Sequence, residues 1–228
     1  MSNYYEIINK ASEPAINLID VGCHTGQFLK EFQDNCNKKI FSIGIDPLDK
    51  ERIAKYDHYY QVAISSKEGT AVFNHYEDES FPGMADSLAE LNTKNLTSDY
   101  IERKDKIYIN RSFGKKIGSE EIKTKRLESI LDELNFVGKI IHFLKIDTQG
   151  TDMDCFLSLG KYIKQCLFVQ IETITSAKNE HRLYKNQLNL NESKEIFKEN
   201  GFSLLSDLEE KEDWFETDVV FVNNELHS

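Results

Sequence analysis

The stretch NLIDVGCHTGQFLKEF, residues 17–32, joins two different patterns of apolar residues through a short turn. A continuous apolar run ends around Asp20, Gly22 and Gly26 bracket the turn, and apolar residues recur at helical spacing from Phe28 onward. Glycine permits a positive φ angle and lets the backbone approach a ligand closely. The stretch therefore predicts a buried strand, a tight turn suited to a ligand, and a helix.

Four more apolar runs of strand length follow along the chain. They are KIFSIGID ending at Asp46, YYQVAIS ending at Ser65, IIHFLKID ending at Asp147, and CLFVQIE ending at Glu172. Short, nearly continuous apolar runs are typical of strands that are buried on both faces, as in a parallel sheet. We therefore expect these runs to form one parallel sheet.

Helical patterns separate several of these runs. RLESILDEL carries one apolar helical stripe, and NESKEIFKENGF predicts another helix, which stops at Gly201. TDMDCFLSLG predicts a helix capped by Asp152 with three apolar side chains facing inward: Met153, Phe156 and Leu157. Alternating strands and helices predict an α/β fold with a mostly parallel, doubly wound sheet.

The remaining segments complete the predicted domain. FSLLSD and DVVFV predict a pair of strands near the C-terminus. We see no repeat and no low-complexity linker, so we predict a single domain over residues 1–228. An insertion at about 75–123 breaks the alternation, and TAVFN and KIYINRSF, at its edge and within it, are candidate additional strands.

The composition limits the classes of function. The formal net charge of -11 argues against nucleic-acid binding as the main function, because basic patches bind phosphate backbones. No run approaches the ~18 apolar residues of a membrane span, and no signal-peptide pattern is present. The four cysteines have no CxxC spacing, so we expect reduced thiols and a cytoplasmic protein.

Carboxylates end both of the first two predicted strands. In open α/β sheets, ligands bind beyond the carboxyl ends of the strands. Asp46 lies twenty positions after Gly26, a spacing at which an acidic residue accepts hydrogen bonds from ribose hydroxyls in dinucleotide folds. His24 and Gln27 stand where the dinucleotide fingerprint requires glycine, which favours a nucleoside ligand without a pyrophosphate, such as S-adenosylmethionine. The alternative is a purely structural turn.

A second group of polar residues lies in FLKIDTQGTDMD. Lys145 and Asp147 end a buried strand, where ionisable side chains are costly unless they are paired or used in function. Glu172 ends the next predicted strand, so we expect it at the same edge of the sheet. The alternative is a lysine–aspartate pair that closes the sheet edge beside a helix cap.

A basic cluster lies inside the predicted insertion. Nine basic and three acidic residues fall between Arg103 and Arg126. A solvated face is the simpler interpretation. Our functional hypothesis is that some of these residues, Lys115 and Lys116 among them, favour an anionic small molecule. The nearby FPGMADSLAEL could form an apolar wall or a core helix.

In these motifs the chain resembles the FkbM family of S-adenosylmethionine-dependent methyltransferases. The resemblance rests on LIDVGCHTGQF, GIDP, VAISSKEGTAVF, TKRLESILDE, FLKIDTQGTDMD and IET, which keep their order from about residue 17 to 222. It implies a Rossmann-like methyltransferase fold that ends in an antiparallel hairpin. It also implies transfer of a methyl group from S-adenosyl-L-methionine to oxygen, often to a hydroxyl of a sugar or glycan.

The resemblance also implies roles for individual residues. Asp46 would bind the ribose, Ile64 and Ser65 would flank the adenine, and Asp147 would lie beside the sulfonium. The first cofactor loop would comprise Asp20, Gly22, Cys23, His24, Gly26 and Phe28. Cys23 and His24 replace a small residue and the asparagine that are common in the family, and Asp46 replaces a common glutamate.

Methyl transfer to an alcohol also needs a group that accepts the hydroxyl proton. Asp147 and Glu172 are our candidates, and Lys145 would orient the acceptor or tune Asp147. His181 is a second-rank candidate because histidine titrates near neutral pH. Asp147 and Glu172 could bind Mg²⁺, but no HxH or HxxxH spacing supports a metal site, so we predict none.

Two other functions also fit the sequence. A nicotinamide-dependent oxidoreductase could use the same kind of sheet, although the missing glycine at position 24 counts against it. A non-catalytic binding protein with a methyltransferase-like fold is the other alternative. Retention of Asp20, Asp46 and Asp147 together argues against that possibility. The sequence does not name the acceptor or the oligomeric state.

Overall fold

The structure is a computed structural model that describes residues 4–77, 83, 85–92, 115–175, 182–205 and 216–227. The candidate strand KIYINRSF and the candidate His181 lie outside these residues, as do Phe81 and Met84 of the segment FPGMADSLAEL. Within the described ranges, no helix combines the length and the apolar character that crossing a membrane requires.

Ten strands and five α-helices are found in the described part of the chain. The first half contains α1 (Tyr4–Lys10), β1 (Ala15–Val21), α2 (Gln27–Asn35), β2 (Lys39–Ile45), β3 (His58–Tyr60), β4 (Ala63–Ile64) and β5 (Gly69–Tyr76). The second half contains β6 (Lys116–Lys125), α3 (Leu127–Glu133), β7 (Ile141–Ile146), α4 (Asp152–Leu157), a 3₁₀ helix (Gly160–Gln165), β8 (Cys166–Ile174), α5 (Leu190–Glu199), β9 (Phe202–Leu204) and β10 (Glu216–Asn223).

The main sheet has seven strands in the order β3-β2-β1-β7-β8-β10-β9. The neighbours from β3 to β8 run parallel, and β10 is antiparallel to both β8 and β9. The predicted α/β fold with a mostly parallel sheet and a C-terminal antiparallel strand pair is confirmed. Strand order reverses between β1 and β7, which is where open α/β sheets bind ligands.

Helices cover both faces of this sheet, so it is doubly wound as predicted. Ile19 and Val21 of β1 belong to a core with residues of α3, α4 and α5. Leu18 and Phe143 belong to a second core with residues of α1 and α2. Since side chains alternate along a strand, Asp20 lies on the same face as Leu18.

A second sheet of three strands, in the order β4-β6-β5, lies beside the main one. The prediction of YYQVAIS as one strand was wrong, because the run divides between the two sheets. Residues up to Tyr60 pair with β2, whereas Ala63 and Ile64 pair with Thr124 and Lys125 of β6. TAVFN forms a strand as predicted, in β5.

The helix predicted from TDMDCFLSLG is present but differs at its ends. Thr151 occupies the capping position and Asp152 begins α4. The prediction that Leu157 faces inward was wrong, since it is 43% exposed. Phe156 is buried as predicted, and Asp152 and Cys155 are buried with it, because residues three and four positions apart share one side of a helix.

Candidate functional site

A crevice opens at the carboxyl ends of β1, β2 and β7, where the strand order reverses. Its cavity volume is about 80 Å³. Five predicted site residues line it: Gly22, His24, Asp46, Ile64 and Asp147. Several residues that the sequence analysis did not select also line it, among them Leu48, Ala63, Phe73, Thr148 and Gln149.

Gly22 forms the tightest part of the turn after β1. Its φ angle is 73°, and its N–H donates to the backbone oxygen of Ile45 at 2.9 Å. A Cβ at this position would lie 1.8 Å from the backbone oxygen of Asp147, so no side chain fits. Gly22 thus lets the turn pack directly against the end of β7.

Asp46 follows β2 and fixes the opposite side of the turn. Its Oδ2 accepts the backbone N–H of His24 and its Oδ1 accepts that of Leu48, each at 2.8 Å. Burial raises the pKa of Asp46, while these two backbone donors oppose the shift. A carboxylate has about four acceptor sites, so each oxygen can still accept a hydroxyl of a ligand.

Asp20 lies beneath the turn and does not line the crevice. It is completely buried, and the Tyr56 hydroxyl donates to its Oδ2 at 2.6 Å. Its Oδ1 lies 3.5 Å from Nζ of Lys145. Burial raises the pKa of Asp20, whereas Lys145 and Tyr56 oppose that rise. Asp20 therefore acts on the crevice through its neighbours rather than by touching a ligand.

Lys145 connects the buried acid to the edge of the crevice. Its Nζ lies 3.3 Å from Oδ2 of Asp147 and donates to the backbone oxygen of Gly22 at 3.1 Å. Burial alone would lower the pKa of Lys145, but Asp147 and Asp20 outweigh this effect and raise it. The lysine therefore stays protonated and holds the glycine turn and Asp147 together.

Gln149 bridges the two predicted catalytic carboxylates. Its Nε2 donates to Oδ1 of Asp147 at 2.8 Å and to Oε2 of Glu172 at 3.2 Å. The Tyr184 hydroxyl donates to Oε1 of Gln149 at 2.9 Å. Burial, followed by the charges of Glu216 and Asp147, raises the pKa of Glu172. The structure therefore brings Asp147 and Glu172 together around one amide.

The loop that carries Gln149 is held in an unusual backbone conformation. Gln149 has a φ angle of 55°, which a residue with a side chain rarely adopts. The Ser87 hydroxyl donates to the Gln149 backbone oxygen at 2.7 Å. A Cβ on Gly150 would lie 2.4 Å from Cβ of Tyr184. Contacts from two distant segments therefore fix the bridging amide.

The matched protein family agrees with this geometry. A family model, the methyltransferase FkbM domain, matches residues 20–204. The chain belongs to the FkbM methyltransferase family. The matched residues of this FkbM methyltransferase run from the buried Asp20 through β7 to β9, so they include every described residue that lines the crevice. Neither a search of curated proteins nor a search of solved structures gave a significant match.

Other predicted residues of the FkbM methyltransferase lie away from the crevice. Cys23 belongs to the core that includes residues of α1 and α2, and Phe28 of α2 packs against that core. Burial raises the pKa of the Cys23 thiol. Gly26 ends the turn with a φ angle of 80°. Ser65 and Glu172 line a larger cavity that adjoins the crevice. The structure thus divides the predicted site residues among the crevice, its supports and this second cavity.

The sequence analysis missed two residues that organise the site, and the reason differs for each. Gln149 lies inside the motif that we singled out, and a polar residue between Asp147 and Gly150 was a signal for it. Tyr184 reaches the loop after β7 from a segment that the sequence pattern leaves unassigned. Its contact with Gln149 depends on tertiary structure, so no local signal predicts it.

The described part of the basic cluster lies outside the crevice. Lys116 donates to Oδ1 of Asn74 at 2.7 Å, and Lys125 and Arg126 pair with Glu133 and Glu128. The other described members are Lys115 and Lys123. Among the residues that the structure describes, no group of three or more His, Cys, Asp or Glu side chains could hold a metal ion.

Proposed function

We propose that this FkbM methyltransferase transfers the methyl group of S-adenosyl-L-methionine to a hydroxyl of a sugar, a glycan or a related small molecule. The observation that carries the proposal is the position of Asp46. Its carboxylate is buried and is fixed by two backbone N–H groups at the edge of the crevice. A ribose with two adjacent hydroxyls matches the acceptor sites that remain.

The rest of the crevice fits the other parts of this cofactor. Leu48, Ala63, Ile64 and Phe73 provide an apolar lining, which suits the adenine ring. Asp147 stands on the opposite side of the turn from Asp46, and its carboxylate suits the positively charged end of the cofactor. The bulk of His24 in the glycine turn disfavours a pyrophosphate.

When bound, the cofactor would supply an electrophilic methyl group carried by a positively charged sulfur. The protein must align an acceptor oxygen with that group and accept the hydroxyl proton as the oxygen–methyl bond forms. Glu172 suits the second task, because its raised pKa brings a carboxylate closer to neutral pH. Gln149 and Lys145 position Asp147 beside it.

The cysteines bear on the compartment in which this reaction would occur. All four are free thiols, namely Cys23, Cys36, Cys155 and Cys166. Free thiols persist in reducing compartments. We therefore propose a cytoplasmic location, which fractionation of the native cells would test.

Calorimetric titration tests the cofactor assignment. S-adenosylmethionine and S-adenosylhomocysteine should both bind, whereas NADH should not. Binding of NADH alone would favour the oxidoreductase, and binding of neither cofactor would favour a non-catalytic protein. A labelled-methyl screen of sugars, nucleotide-sugars and glycans, with and without EDTA, then tests oxygen methylation. We expect transfer to survive EDTA.

A further inference from the structure

The larger cavity beside the crevice has the position expected of an acceptor site. Its cavity volume is about 720 Å³. Its lining shares three residues with that of the crevice, namely Ile64, Leu88 and Thr151. A ligand in this cavity would therefore lie next to a cofactor in the crevice. Glu172, the proposed proton acceptor, lines the cavity.

The described lining of this cavity is strongly acidic. Its acidic residues are Glu90, Asp152, Asp154 and Glu172, and Lys185 is its one basic residue among those described. Lys185 forms an ion pair with Glu90. Three of the four carboxylates therefore have no lysine or arginine beside them in the described lining of the cavity.

Asp152 is a buried carboxylate beside this cavity, and its hydrogen bonding within the described residues is incomplete. It is 6% exposed, and its buried Oδ1 has no hydrogen-bond partner within the described residues. Its Oδ2 accepts the N–H of Gly150 at 3.2 Å. Burial, together with the charge of Asp147, raises the pKa of Asp152 to about 7. A positively charged ligand in the cavity would offset the cost of burying this carboxylate.

Apolar side chains form the rest of the cavity wall. Ile171 of β8 and Ile196 of α5 line it, together with Leu88 and Leu188. Such a wall packs against the carbon face of a sugar ring, while the carboxylates face its polar groups. The lining therefore combines the surfaces that a compact ring with hydroxyl and amine groups requires.

We propose that this cavity binds the methyl acceptor and selects a hydroxylated ring that carries a positively charged amine, such as an amino sugar. This inference rests on the proposed methyltransferase function. It differs from the anionic acceptor that the basic cluster suggested, because no described member of that cluster lines the cavity. A phosphate group would be repelled by the carboxylate of the exposed Asp154, and by Asp152 or Glu172 whenever either is ionised.

Ligand-observed NMR titration of the protein with bound S-adenosylhomocysteine tests the selection. The probes are methyl glucosaminide, methyl glucoside and glucose 6-phosphate, which differ mainly in charge. We expect the amine to bind roughly three- to tenfold more tightly than the neutral sugar, as expected for a charge pair several ångströms apart near a protein surface. The phosphate should bind most weakly. Equal affinities, tighter phosphate binding or no binding of any probe would contradict the proposal.

Variants that remove or reverse a charge test whether the preference for the amine over the neutral sugar arises in the cavity. Asp154→Asn and Glu90→Gln should each reduce the preference for the amine over the neutral sugar by roughly threefold or more. Glu199→Gln, an exposed change at the far end of α5, and Lys115→Glu in the basic cluster should leave it unchanged. An effect of Lys115→Glu without an effect of Asp154→Asn would place the acceptor elsewhere.

Titrations of the same variants with S-adenosylmethionine distinguish a failure of the proposed function from a failure of the acceptor assignment. If wild-type protein fails to bind S-adenosylmethionine, the proposed function itself is wrong. If the cofactor binds with unchanged affinity in every variant but the order of the three probes is reversed, only the acceptor assignment is wrong.

Discussion

Gly22 and His24 show how single residues shape the crevice. Both have positive φ angles, 73° and 42°. At Gly22 the backbone of Asp147 also excludes a side chain, whereas the His24 side chain lines the crevice. Packing against Asp147 therefore requires glycine at position 22, whether or not a ligand binds.

Gly22→Ala should therefore lower the free energy of unfolding by roughly 3 kcal/mol or more, combining backbone strain with the clash against β7. Gly138→Ala is the matched control. Gly138 has a φ angle of 77°, and a Cβ added there would meet no atom within 4 Å apart from its chain neighbours, so this substitution should cost only about 1–2 kcal/mol. Urea unfolding measures both, and equal losses would show that the contact with Asp147 is unimportant.

The sequence predicted some features of individual site residues and not others. The spacing between Gly26 and Asp46 was informative, because both residues follow strands of one parallel sheet. The burial of Asp20 was not predicted. It depends on the pairing of Asp20 with Lys145 in adjacent strands, which places both side chains on one face of the sheet.

Among the elements, β1, β2, β7 and β8 could be predicted because each lies in a nearly continuous apolar run. The division of YYQVAIS could not, since β4 pairs with β6, a strand sixty residues farther along the chain. The contact of Tyr184 with the loop after β7 could not be predicted either, because the two segments are far apart in the sequence. Local pattern predicts an element, but distant pairing decides which sheet it joins.

The segment around Tyr184 should control catalysis through that loop. Tyr184→Phe removes the hydroxyl that donates to Gln149 and to the backbone oxygen of Ala85. We expect kcat to fall roughly two- to tenfold, the effect of one lost hydrogen bond, with the affinity for S-adenosylmethionine changed less than twofold.

Tyr162→Phe is the control for this prediction. Its hydroxyl donates to Asp132 on α3 at 2.6 Å, away from the crevice. Both variants lose one hydroxyl, so a difference in kcat between them depends on where the lost hydroxyl lies. Steady-state kinetics with an acceptor from the methyl-transfer screen should show unchanged kcat for Tyr162→Phe. An unchanged kcat for Tyr184→Phe would contradict the positioning role of Gln149.

At the scale of the whole molecule, acidic groups concentrate at one edge of the main sheet. Burial raises the pKa values of Asp20, Asp46, Asp152 and Glu172. In each case the folded state retains a proton at a pH where the unfolded chain has released it. Their contribution therefore makes the free energy of unfolding decrease as the pH rises, until the folded-state groups also ionise.

Asp152 should supply a measurable part of this pH dependence. Its unfolded pKa is near 3.8 and its folded pKa about 7, so the loss of stability should fall between these values. Asp152→Asn removes the ionisation. Relative to wild type, this variant should gain about 2–3 kcal/mol between pH 5 and pH 8.

Asp154→Asn, an exposed change in the same helix, is the control and should show no such gain. Urea unfolding at the two pH values measures all three proteins. A constant difference between Asp152→Asn and wild type at pH 5 and pH 8 would show that Asp152 does not retain its proton in the folded state.

Calorimetric titration of Asp46→Ala with S-adenosylmethionine tests directly whether the crevice beside Asp46 holds the methyl donor. Loss of a charged acceptor for the ribose hydroxyls should weaken binding by about 1.5–3 kcal/mol, roughly ten- to a hundredfold. Asp49→Ala, three residues along and exposed, should bind like wild type. Equal affinity of Asp46→Ala and wild type, with both proteins folded, would show that the crevice beside Asp46 does not hold the methyl donor.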